Sequence, residues 1–299
     1  MSIYLEKVKE PLDIPEALKS VLGTGEIEAY RFFDGSVYDE GKCYNTYKLV
    51  SGGRAFVLKR YSDPEDRDAE VKHYSLLAGL PVPKLLGAAE GCILMDFVEG
   101  DDLKEPTDEG IRAAAESLTA VMNAYPMGRG YDTERYERYL RRLERRAECL
   151  ADEPELARAF AVFYKRQKEI PLTLSNSDLL PINILYNGKK ATIIDWEFGG
   201  FMPYALDIAR FIAHCTEDGS VTCFRMSREQ KRMFLDLVYS GLEAKPEREV
   251  FERDILLAPF NECVEILEYY LNDATAERGN VFGLYYPMAR RLAGIISAC

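Results

Sequence analysis

The chain has 299 residues and 47% of them are hydrophobic, a composition that fills the core of one large domain or two lobes and excludes a disordered chain. It has 38 lysines and arginines against 50 acidic residues, and the formal net charge of -12 disfavours a broad attraction to nucleic acid or anionic lipid. A cationic partner suits this charge better, although acidity is also typical of cytosolic proteins that need it only for solubility.

The cysteines, the histidines and the first residues exclude further classes. The seven cysteines are an odd number without a Cys-x-x-Cys pair, and neither His73 nor His214 is spaced against them like a zinc ligand. We therefore predict reduced thiols and no zinc site. The first residues have alternating charges instead of an apolar signal sequence, and no stretch approaches the roughly 18 apolar residues that span a bilayer. The sequence predicts a cytoplasmic protein with no membrane or nucleic-acid partner.

Residues 1–98 are predicted to form a first lobe that is rich in β-strands. Short runs of aromatic and β-branched residues lie at 27–33, 43–50, 55–61 and 92–98, and glycine-containing turns separate them. This pattern is typical of an antiparallel meander.

One helix is predicted within this lobe. Asp63 is a suitable N-cap, Pro64 occupies the first helical position, and acidic residues fill the first turn. The helix is predicted to end near Gly79.

The polar residues 99–101 mark the start of a second lobe, 99–299, in which apolar residues recur at helical spacing. The predicted helices cover 108–124, 133–150, 155–169, 227–243, 248–272 and 283–297. The segment 135–146 is rich in arginine, but glutamates alternate with the arginines at helical neighbour spacing. A solvated, ion-paired face is therefore favoured over an anion site there.

A short β-hairpin interrupts the helices and carries the residues with chemical potential. Two apolar runs surround the turn signal Asn187-Gly188. Asp178 precedes the first run, Asn183 begins it, and Asp195 ends the second. Phosphoryl transfer needs a carboxylate near the attacking hydroxyl and oxygen ligands for the Mg²⁺ that bridges the phosphates. These three residues could supply both.

The length of the turn decides whether two of these residues meet. A turn over 187–190 places Asn183 opposite Ile194, and therefore beside Asp195, so that two oxygen ligands converge on one cation. A tight two-residue turn instead pairs Asn183 with Thr192 and moves Asp195 roughly 10 Å along the strand. Only the first register predicts a metal site.

The run from Asn176 through Asp178 to Asn183, followed by Ile-Asp195-Trp-Glu197, resembles the H-x-D-x-x-x-x-N and I-D-W-E motifs of a known family. This family comprises aminoglycoside phosphotransferases, choline and ethanolamine kinases, homoserine kinases and fructosamine kinases, which are relatives of the protein kinases. The combination is specific, whereas Asp-x4-Asn alone also occurs where a buried Asp and Asn cap turns. The resemblance implies that Asp178 is the catalytic base or positions the acceptor hydroxyl, and that Asn183 and Asp195 are Mg²⁺ ligands.

The resemblance also implies a fold and an activity. The fold is of the α+β class, protein-kinase-like and two-lobed, with a small antiparallel β N-lobe of five strands and one helix, a larger mainly α-helical C-lobe, and nucleotide in the cleft between. The activity is an ATP- or GTP-dependent, Mg²⁺-dependent transfer of the terminal phosphoryl group to a hydroxyl of a small molecule. A protein kinase is disfavoured because Trp-Glu follows Asp195 where Phe-Gly would be expected.

One motif position departs from the family. The usual residue is a histidine that hydrogen-bonds the neighbouring backbone, and this chain has Asn176. An amide also donates and accepts hydrogen bonds, so we count Asn176 with Asp178 among the predicted catalytic residues. A nucleotide-binding pseudokinase without turnover is the alternative. Asp207, at the start of a later helix, is predicted to brace the catalytic loop.

The first lobe gives support that is independent of this motif. Phe56-Val-Leu-Lys59 resembles the strand that ends in the phosphate-binding lysine of kinases. Glu70, on the following helix, is the predicted partner of Lys59, with Glu65 and Asp66 as rivals. Taken alone, a lysine at a strand end is more often a surface residue.

The same resemblance assigns further residues to the nucleotide. Gly35 and Ser36 are predicted near the phosphates, with ordinary hairpin turns as an equal alternative. Asp96, Phe97 and Val98 look like the hinge whose backbone binds a nucleobase. The base is predicted to lie between four apolar side chains that would otherwise serve only as core, namely Val57, Met95, Leu185 and Ile194.

The helices near the C-terminus build the acceptor pocket in this family. Glu262, Glu265 and Tyr269 lie at neighbour spacing on one helical face, so carboxylates and an aromatic ring could enclose an amine or a quaternary ammonium. This predicts a cationic acceptor, an aminoglycoside-like compound or an amino alcohol like choline or ethanolamine. A polar outer helix face is the alternative. Glu197 is predicted either to orient Asp195 or to contact the acceptor.

Overall fold

The structure is a computed structural model that describes residues 4–33, 43–219, 221–273 and 275–298. The chain divides into two compact units, residues 1–99 and 100–299. The sequence analysis placed this boundary one residue earlier. No helix in the described part of the chain is long and apolar enough to cross a bilayer.

An antiparallel sheet dominates the first unit. Within the described residues it has six strands in the order β1-β2-β3-β4-β6-β5. The strands are β1 (Tyr4–Lys7), β2 (Glu28–Phe33), β3 (Cys43–Ser51), β4 (Arg54–Arg60), β5 (Leu85–Ala89) and β6 (Cys92–Asp96). One face packs on a core that includes Leu49, Phe56 and Leu94.

Two elements of this unit exceed the five strands and one helix that were predicted. Strand β1 is exposed along its whole length, so it shows no burial pattern, and backbone pairing with β2 holds it in the sheet. Helix α1 (Glu16–Leu22) has only seven residues, too few for a clear helical period, yet Leu18 and Leu22 enter the core. Both elements are stabilised by contacts that a local pattern does not reveal.

The predicted helix of the first unit is present as α2 (Pro64–Leu76). Asp63 is its N-cap, and the Asp63 carboxylate accepts a hydrogen bond from the backbone N–H of Glu65 at 2.8 Å. The chain leaves the helix through Gly79, whose φ of 85° lies in the left-handed region. Strand β4 therefore leads directly into α2, which places Lys59 and Glu70 close together in the sequence and in space.

Helices dominate the second unit. The six helices that were predicted there are present, with one more after the hairpin. They are α3 (Asp108–Ala124), α4 (Glu134–Glu148), α5 (Pro154–Gln167), α6 (Ala205–Ala213), α7 (Arg228–Gly241), α8 (Arg248–Asn272) and α9 (Asn280–Ala298). Helices α4, α5, α8 and α9 share one core, to which Phe160, Phe260 and Leu267 contribute.

In its described residues, the second unit also has five short strands. They are β7 (Asp101–Asp102), β8 (Leu172–Ser175), β9 (Ile184–Tyr186), β10 (Ala191–Ile193) and β11 (Gly200–Pro203), in the orders β10-β9-β7 and β11-β8. Gly100 leads into β7 with a φ of 150°, and a Cβ there would lie 2.9 Å from the Tyr186 backbone. Only glycine permits this close approach.

An antiparallel β unit followed by a mainly helical unit confirms the predicted α+β class. The two small sheets of the second unit bring together the segments that precede and follow the hairpin.

Candidate active site

The hairpin adopts the register that a metal site requires. Strands β9 and β10 pair Ile184 with Ile193, and the turn covers residues 187–190. The backbone N–H of Ile194 donates to the Asn183 carbonyl at 2.9 Å, so Asn183 lies opposite Ile194 and beside Asp195. The wide-turn prediction is confirmed, and the two-residue turn is excluded.

A short 3₁₀ turn (Pro181–Asn183) sets the direction of the Asn183 side chain. The Asn183 amide nitrogen donates to the Asp178 carbonyl at 2.7 Å and lies 3.4 Å from the Asp178 carboxylate. Because the amide nitrogen makes this bond, the amide oxygen is the atom that could bind a cation. The same contact ties the predicted metal ligand to the predicted catalytic carboxylate.

Asp195 has an unusual backbone conformation. Its φ of 58° lies in the left-handed region, which aspartate tolerates better than most side chains but which still needs support from its surroundings. Two contacts supply it: the Asp195 carbonyl accepts from the Asn176 amide nitrogen at 2.8 Å, and the buried Trp196 indole N–H donates to the Ile193 carbonyl at 3.1 Å. The side chain of Asp195 is half-buried, and therefore open to solvent in part.

Asn176 takes the bonding role that was predicted for the family's histidine position. Its amide nitrogen donates to the carbonyls of Ile194 and Asp195, and its amide oxygen accepts from the backbone N–H of Asp178 at 3.1 Å. Asn176 is fully buried. A single side chain therefore holds the segment of Asp178 against the segment of Asp195, and it acts through hydrogen bonds.

Asp207 braces the same loop, as predicted. Its carboxylate accepts from the Ser175 hydroxyl at 2.8 Å and from the backbone N–H groups of Asn176 and Ser177 at 2.7 and 2.9 Å. These bonds hold Ser177 at a φ of 66°. Burial raises the pKa of Asp207 to about 6, although the three hydrogen bonds act in the opposite direction.

Asp178 is paired with an arginine that the sequence analysis did not identify. Arg210 on α6 places Nη2 at 2.9 Å and Nε at 3.2 Å from one Asp178 oxygen. Burial raises the pKa of Asp178, and Arg210 opposes that rise. The carboxylate is thus held in a fixed direction by one cation.

Arg210 is itself held by a buried network. Its Nη1 donates to Glu262 at 2.7 Å, and Glu262 also contacts His214 at 3.1 Å. The other ring nitrogen of His214 lies 2.7 Å from the Tyr285 hydroxyl. Burial alone would raise the pKa of Glu262, but Arg210 and His214 outweigh it and lower this pKa to about 2. In the sequence, the one local signal for this network is that Arg210 follows Asp207 by three residues, which places the two side chains as neighbours on one helix.

Asp178 opens into a cavity of about 530 Å³, which we call the Asp178 cavity. Five arginines and the carboxylates of Asp178, Glu262 and Glu265 line it. The arginines are Arg135, Arg138, Arg142, Arg145 and Arg210. The first four come from α4, from the segment that was predicted to be a solvated, ion-paired face.

The three residues predicted to enclose a cation do not form an open cage. Glu262 is 1% exposed and paired with Arg210. Glu265 lies 3.1 Å from the buried guanidinium of Arg146. Tyr269 is 65% exposed, packs against Tyr270, and does not line the Asp178 cavity. Arginines already pair with both carboxylates, and the binding of an ammonium by these residues stays a prediction.

In the first unit, the predicted ion pair is present. The Lys59 ammonium donates to Glu70 at 2.9 Å, and the Tyr61 hydroxyl donates to the same carboxylate oxygen at 2.5 Å. Glu70 is fully buried, while its rivals Glu65 and Asp66 are exposed. The choice of Glu70 is thus confirmed as a contact.

The remaining nucleotide residues are placed as follows. Val57 pairs with Met95 in the sheet, and both side chains are at least half-buried. The backbone N–H of Phe97 donates to the Ala55 carbonyl at 3.3 Å, and Asp96 lies 3.5 Å from Arg54. Four further residues that were predicted to contact the nucleotide or the acceptor are also half-buried, namely Val98, Leu185, Ile194 and Glu197. Gly35 and Ser36 lie outside the described residues.

A sequence model of the phosphotransferase enzyme family matches residues 39–231. That segment is more than half of the chain and contains every motif residue described above. The chain belongs to the phosphotransferase enzyme family. No protein among the curated sequences matches it significantly.

Solved structures of phosphotransferases share the fold. The choline kinase LicA from Streptococcus pneumoniae has a TM-score of 0.59 and 13% identity, covering 94% of this chain and 97% of its own. An aminoglycoside phosphotransferase from Alicyclobacillus acidocaldarius subsp. acidocaldarius DSM 446 has a TM-score of 0.59 and 16% identity, covering 97% of each chain. An ethanolamine kinase from Plasmodium vivax has a TM-score of 0.54 and 16% identity, covering 84% and 78%. Family and fold together confirm the prediction of a protein-kinase-like small-molecule phosphotransferase.

Proposed function

We propose that this phosphotransferase uses ATP or GTP with Mg²⁺ to phosphorylate a hydroxyl group of a small molecule in the Asp178 cavity. The observation that carries the proposal is the hairpin register, which sets Asn183 beside Asp195. Asn183 donates to the Asp178 carbonyl, and the Asn176 side chain bonds the backbone of both Asp178 and Asp195. A pair of residues that only cap turns would not need this shared geometry.

Asp178 has the central chemical role in this proposal. The acceptor hydroxyl oxygen forms a bond to the terminal phosphorus, the bond from that phosphorus to the bridging oxygen breaks, and the nucleoside diphosphate leaves. The hydroxyl proton passes to the Asp178 carboxylate, which Arg210 holds in position at 2.9 Å. Burial raises the pKa of Asp178, and Arg210 opposes this rise.

The amide oxygen of Asn183 and the carboxylate of Asp195 fit the chemistry of a hard cation, which prefers oxygen ligands. Mg²⁺ at this position would neutralise charge on the transferred phosphoryl group. Asn176 contributes by fixing the backbone of Asp195, and the half-buried position of Glu197 suits either orientation of Asp195 or contact with the acceptor.

The first unit is proposed to bind the nucleotide. Lys59, held by Glu70 at 2.9 Å, would contact the phosphates, and the backbone of residues 96–98 would contact the base. Val57, Met95, Leu185 and Ile194 are proposed as the apolar contacts of the base. The LicA structure, which has the same fold, is also known in complex with AMP, and this supports nucleotide use here.

The cationic nature of the acceptor is a separate question. The relatives named above are kinases of choline, ethanolamine or aminoglycosides. In this chain Glu262 and Glu265, which were predicted to bind an ammonium, are paired with arginines. The proposal therefore includes a small molecule with a hydroxyl group as acceptor, and it does not assume that this molecule is positively charged like the acceptors of those relatives.

The test is a thermal-shift measurement with ATP and GTP, with and without Mg²⁺, followed by nucleotide consumption over amino alcohols, aminoglycosides, sugars and sugar phosphates. We expect Mg²⁺-dependent stabilisation by at least one nucleotide and consumption with at least one acceptor. Asp195→Ala should lose the Mg²⁺-dependent part of the shift, and the exposed Asp152→Ala should keep it. Binding without consumption over the whole panel would instead indicate a nucleotide-binding protein without turnover.

A further inference from the structure

The arginines of α4 form a single face that lines the Asp178 cavity. Arg135, Arg138, Arg142 and Arg145 are separated by three, four and three residues, the spacing of neighbours on one side of a helix. Together they cover about 15 Å of the helix at 1.5 Å per residue. We call this set the α4 arginine face.

The structure fixes this face against the floor of the cavity. A Cβ at Gly200 on β11 would lie 3.0 Å from Cβ and Cγ of Arg135, so the helix approaches β11 as closely as glycine allows. The Arg135 guanidinium lies over the Phe198 ring, 5.6 Å from its centroid. These contacts set the position of the first arginine, and the helix then determines the other three.

The carboxylates near this face are engaged mainly by other groups. Glu262 pairs with Arg210 at 2.7 Å, and Glu265 lies 3.1 Å from Arg146 but 3.9 Å from Arg142. Arg145 has no ion pair with any residue that the structure describes. Arg142 and Arg145 therefore carry positive charge that the carboxylates of the cavity do not neutralise at close range.

The ion pair of Arg138 is weak. Arg138 lies 3.1 Å from Glu134, but the two side chains are 59% and 76% exposed. An exposed pair of this kind contributes at most about 1 kcal/mol, so Glu134 is a poor competitor for a bound anion. The predicted solvated face is thus only partly ion-paired.

The excess positive charge is local. The chain as a whole has a formal charge of -12, yet five arginines face three carboxylates in a cavity of about 530 Å³. The arginines outnumber the carboxylates, and a concave site with an excess of one sign of charge concentrates ligands of the opposite sign. Guanidinium groups also match phosphate and carboxylate oxygens in pairs, which gives direction as well as attraction.

We propose that the acceptor is an anionic alcohol, a small polyhydroxy molecule that already carries a phosphate or carboxylate group, and that the α4 arginine face binds this group. The inference rests on the proposed function, because Asp178 in the same cavity is the residue that receives the hydroxyl proton. The anionic group binds to the guanidiniums, and one hydroxyl of the same molecule is presented to Asp178. The product gains one phosphoryl group, with its negative charge, and keeps its original phosphate or carboxylate group.

Turnover is tested with related polyhydroxy acceptors of different charge. Glucose, glucose 6-phosphate and gluconate are compared, with choline and an aminoglycoside as cationic acceptors. We expect consumption of nucleotide with the phosphate or the carboxylate compound, and their comparison distinguishes the two anionic groups. The variant Arg138→Gln/Arg145→Gln should raise the acceptor KM about tenfold or more while the nucleotide KM stays constant. Arg141→Gln removes an exposed arginine of α4 that does not line the cavity, and it should change neither KM.

Direct binding is tested without turnover. Inorganic phosphate is added in the absence of nucleotide and at constant ionic strength, and the melting temperature is measured. Wild type and Arg141→Gln should be stabilised, and Arg138→Gln/Arg145→Gln should lose most of the shift. An equal shift in all three proteins, or consumption only with neutral or cationic acceptors, would overturn the anionic acceptor and leave the proposed function standing. If wild type fails to bind Mg²⁺ and nucleotide at all, the proposed function fails, and this acceptor fails with it.

Discussion

The two units of the molecule each hold a cation against a buried glutamate. In the first unit Lys59 lies 2.9 Å from Glu70, and in the second Arg210 lies 2.7 Å from Glu262. Both glutamate side chains are 1% exposed, whereas the cations are 15% and 19% exposed. In both cases a desolvated carboxylate fixes the position of a side chain that reaches towards solvent.

The Lys59–Glu70 and Arg210–Glu262 pairs differ in the further hydrogen bonds that their side chains make. Glu70 also accepts from the Tyr61 hydroxyl. Glu262 shares its charge between Arg210 and His214, and Arg210 divides its own donors between Glu262 and Asp178. In the proposed function, the first pair positions a cation for the nucleotide, and the second acts on the carboxylate that receives the hydroxyl proton. Equivalent substitutions in the two pairs should therefore affect different kinetic constants.

The largest effect on turnover is expected from a change of Asp178, the carboxylate that Arg210 connects to Glu262. Asp178→Asn removes the carboxylate that accepts the hydroxyl proton and keeps a side chain of the same size. We expect kcat to fall by roughly 10³-fold, within the usual range for the loss of a general base. The Mg²⁺-dependent thermal shift with nucleotide should remain. An unchanged rate would show that Asp178 does not have this role.

The next prediction distinguishes Arg210 from Glu262 by the direction in which each changes the pKa of Asp178. Arg210 lowers the pKa of Asp178, whereas Asp195 and Glu262 raise it. Arg210→Gln should therefore shift the acidic limb of the kcat/KM profile to higher pH, and Glu262→Gln should shift it to lower pH. The measurement is a pH–rate profile with an anionic acceptor or any acceptor that is turned over.

This pair of variants needs its own control, because breaking a buried ion pair costs about 3 to 5 kcal/mol of stability. Thermal melts at each pH must show that the variants are folded over the range of the profile. The network predicts that the acidic limb moves in opposite directions in Arg210→Gln and Glu262→Gln. A shift in the same direction in both variants would contradict it, since a general loss of structure would not produce opposite shifts.

The matched substitution in the first unit should act on the nucleotide. Glu70→Gln removes the charge that orients Lys59, and we expect the nucleotide KM to rise about tenfold, which is the scale of one charge-assisted hydrogen bond. The acidic limb of the profile should stay in place. Glu65→Gln, on an exposed residue of the same helix, is the control and should leave the nucleotide KM unchanged. A shift of the acidic limb in Glu70→Gln would remove the distinction between the two pairs.

The contrast between these pairs also explains what could be predicted from the sequence. Lys59 and Glu70 are 11 residues apart, and a strand that leads directly into a capped helix makes their contact predictable. The hairpin is equally local, so the register of Asn183 and Asp195 depends only on the length of one turn. The family motif added the roles of these residues. Local geometry and the motif together gave the fold class and most of the catalytic segment.

The unpredicted part of the site depends on contacts that are distant in the sequence. Arg210 and Glu262 are 52 residues apart and lie on different helices, so no spacing rule links them. The arginines of α4 alternate with glutamates in the sequence, and only the packing of α4 on β11 shows which side lines the cavity. The arginine partners of Glu262 and Glu265 were missed for the same reason: spacing on a helix shows neighbours on that helix and omits arginines of other helices. The cationic acceptor stays a prediction.

The smallest effect concerns a buried carboxylate that is held without a cation. Asp207 accepts only from a hydroxyl and two backbone N–H groups, and burial raises its pKa to about 6. Glu262 is equally buried but contacts Arg210 and His214, and its pKa is lowered. The cation therefore decides the direction of the shift, and the hydrogen bonds alone do not offset burial.

This difference predicts a pH dependence of stability. Folded Asp207 keeps its proton to higher pH than in the unfolded chain, where its pKa is near 3.8, so its contribution is complete below about pH 4 and is lost as pH rises through about 6. The free energy of unfolding should fall by about 1 to 3 kcal/mol across this window in wild type. Asp207→Asn should remove that slope, which is measured as the difference between the two denaturation curves from pH 4 to 7. If wild type instead gains stability relative to the variant as the pH rises, Asp207 remains ionised on its hydrogen bonds alone, and a cation is not what separates it from Glu262.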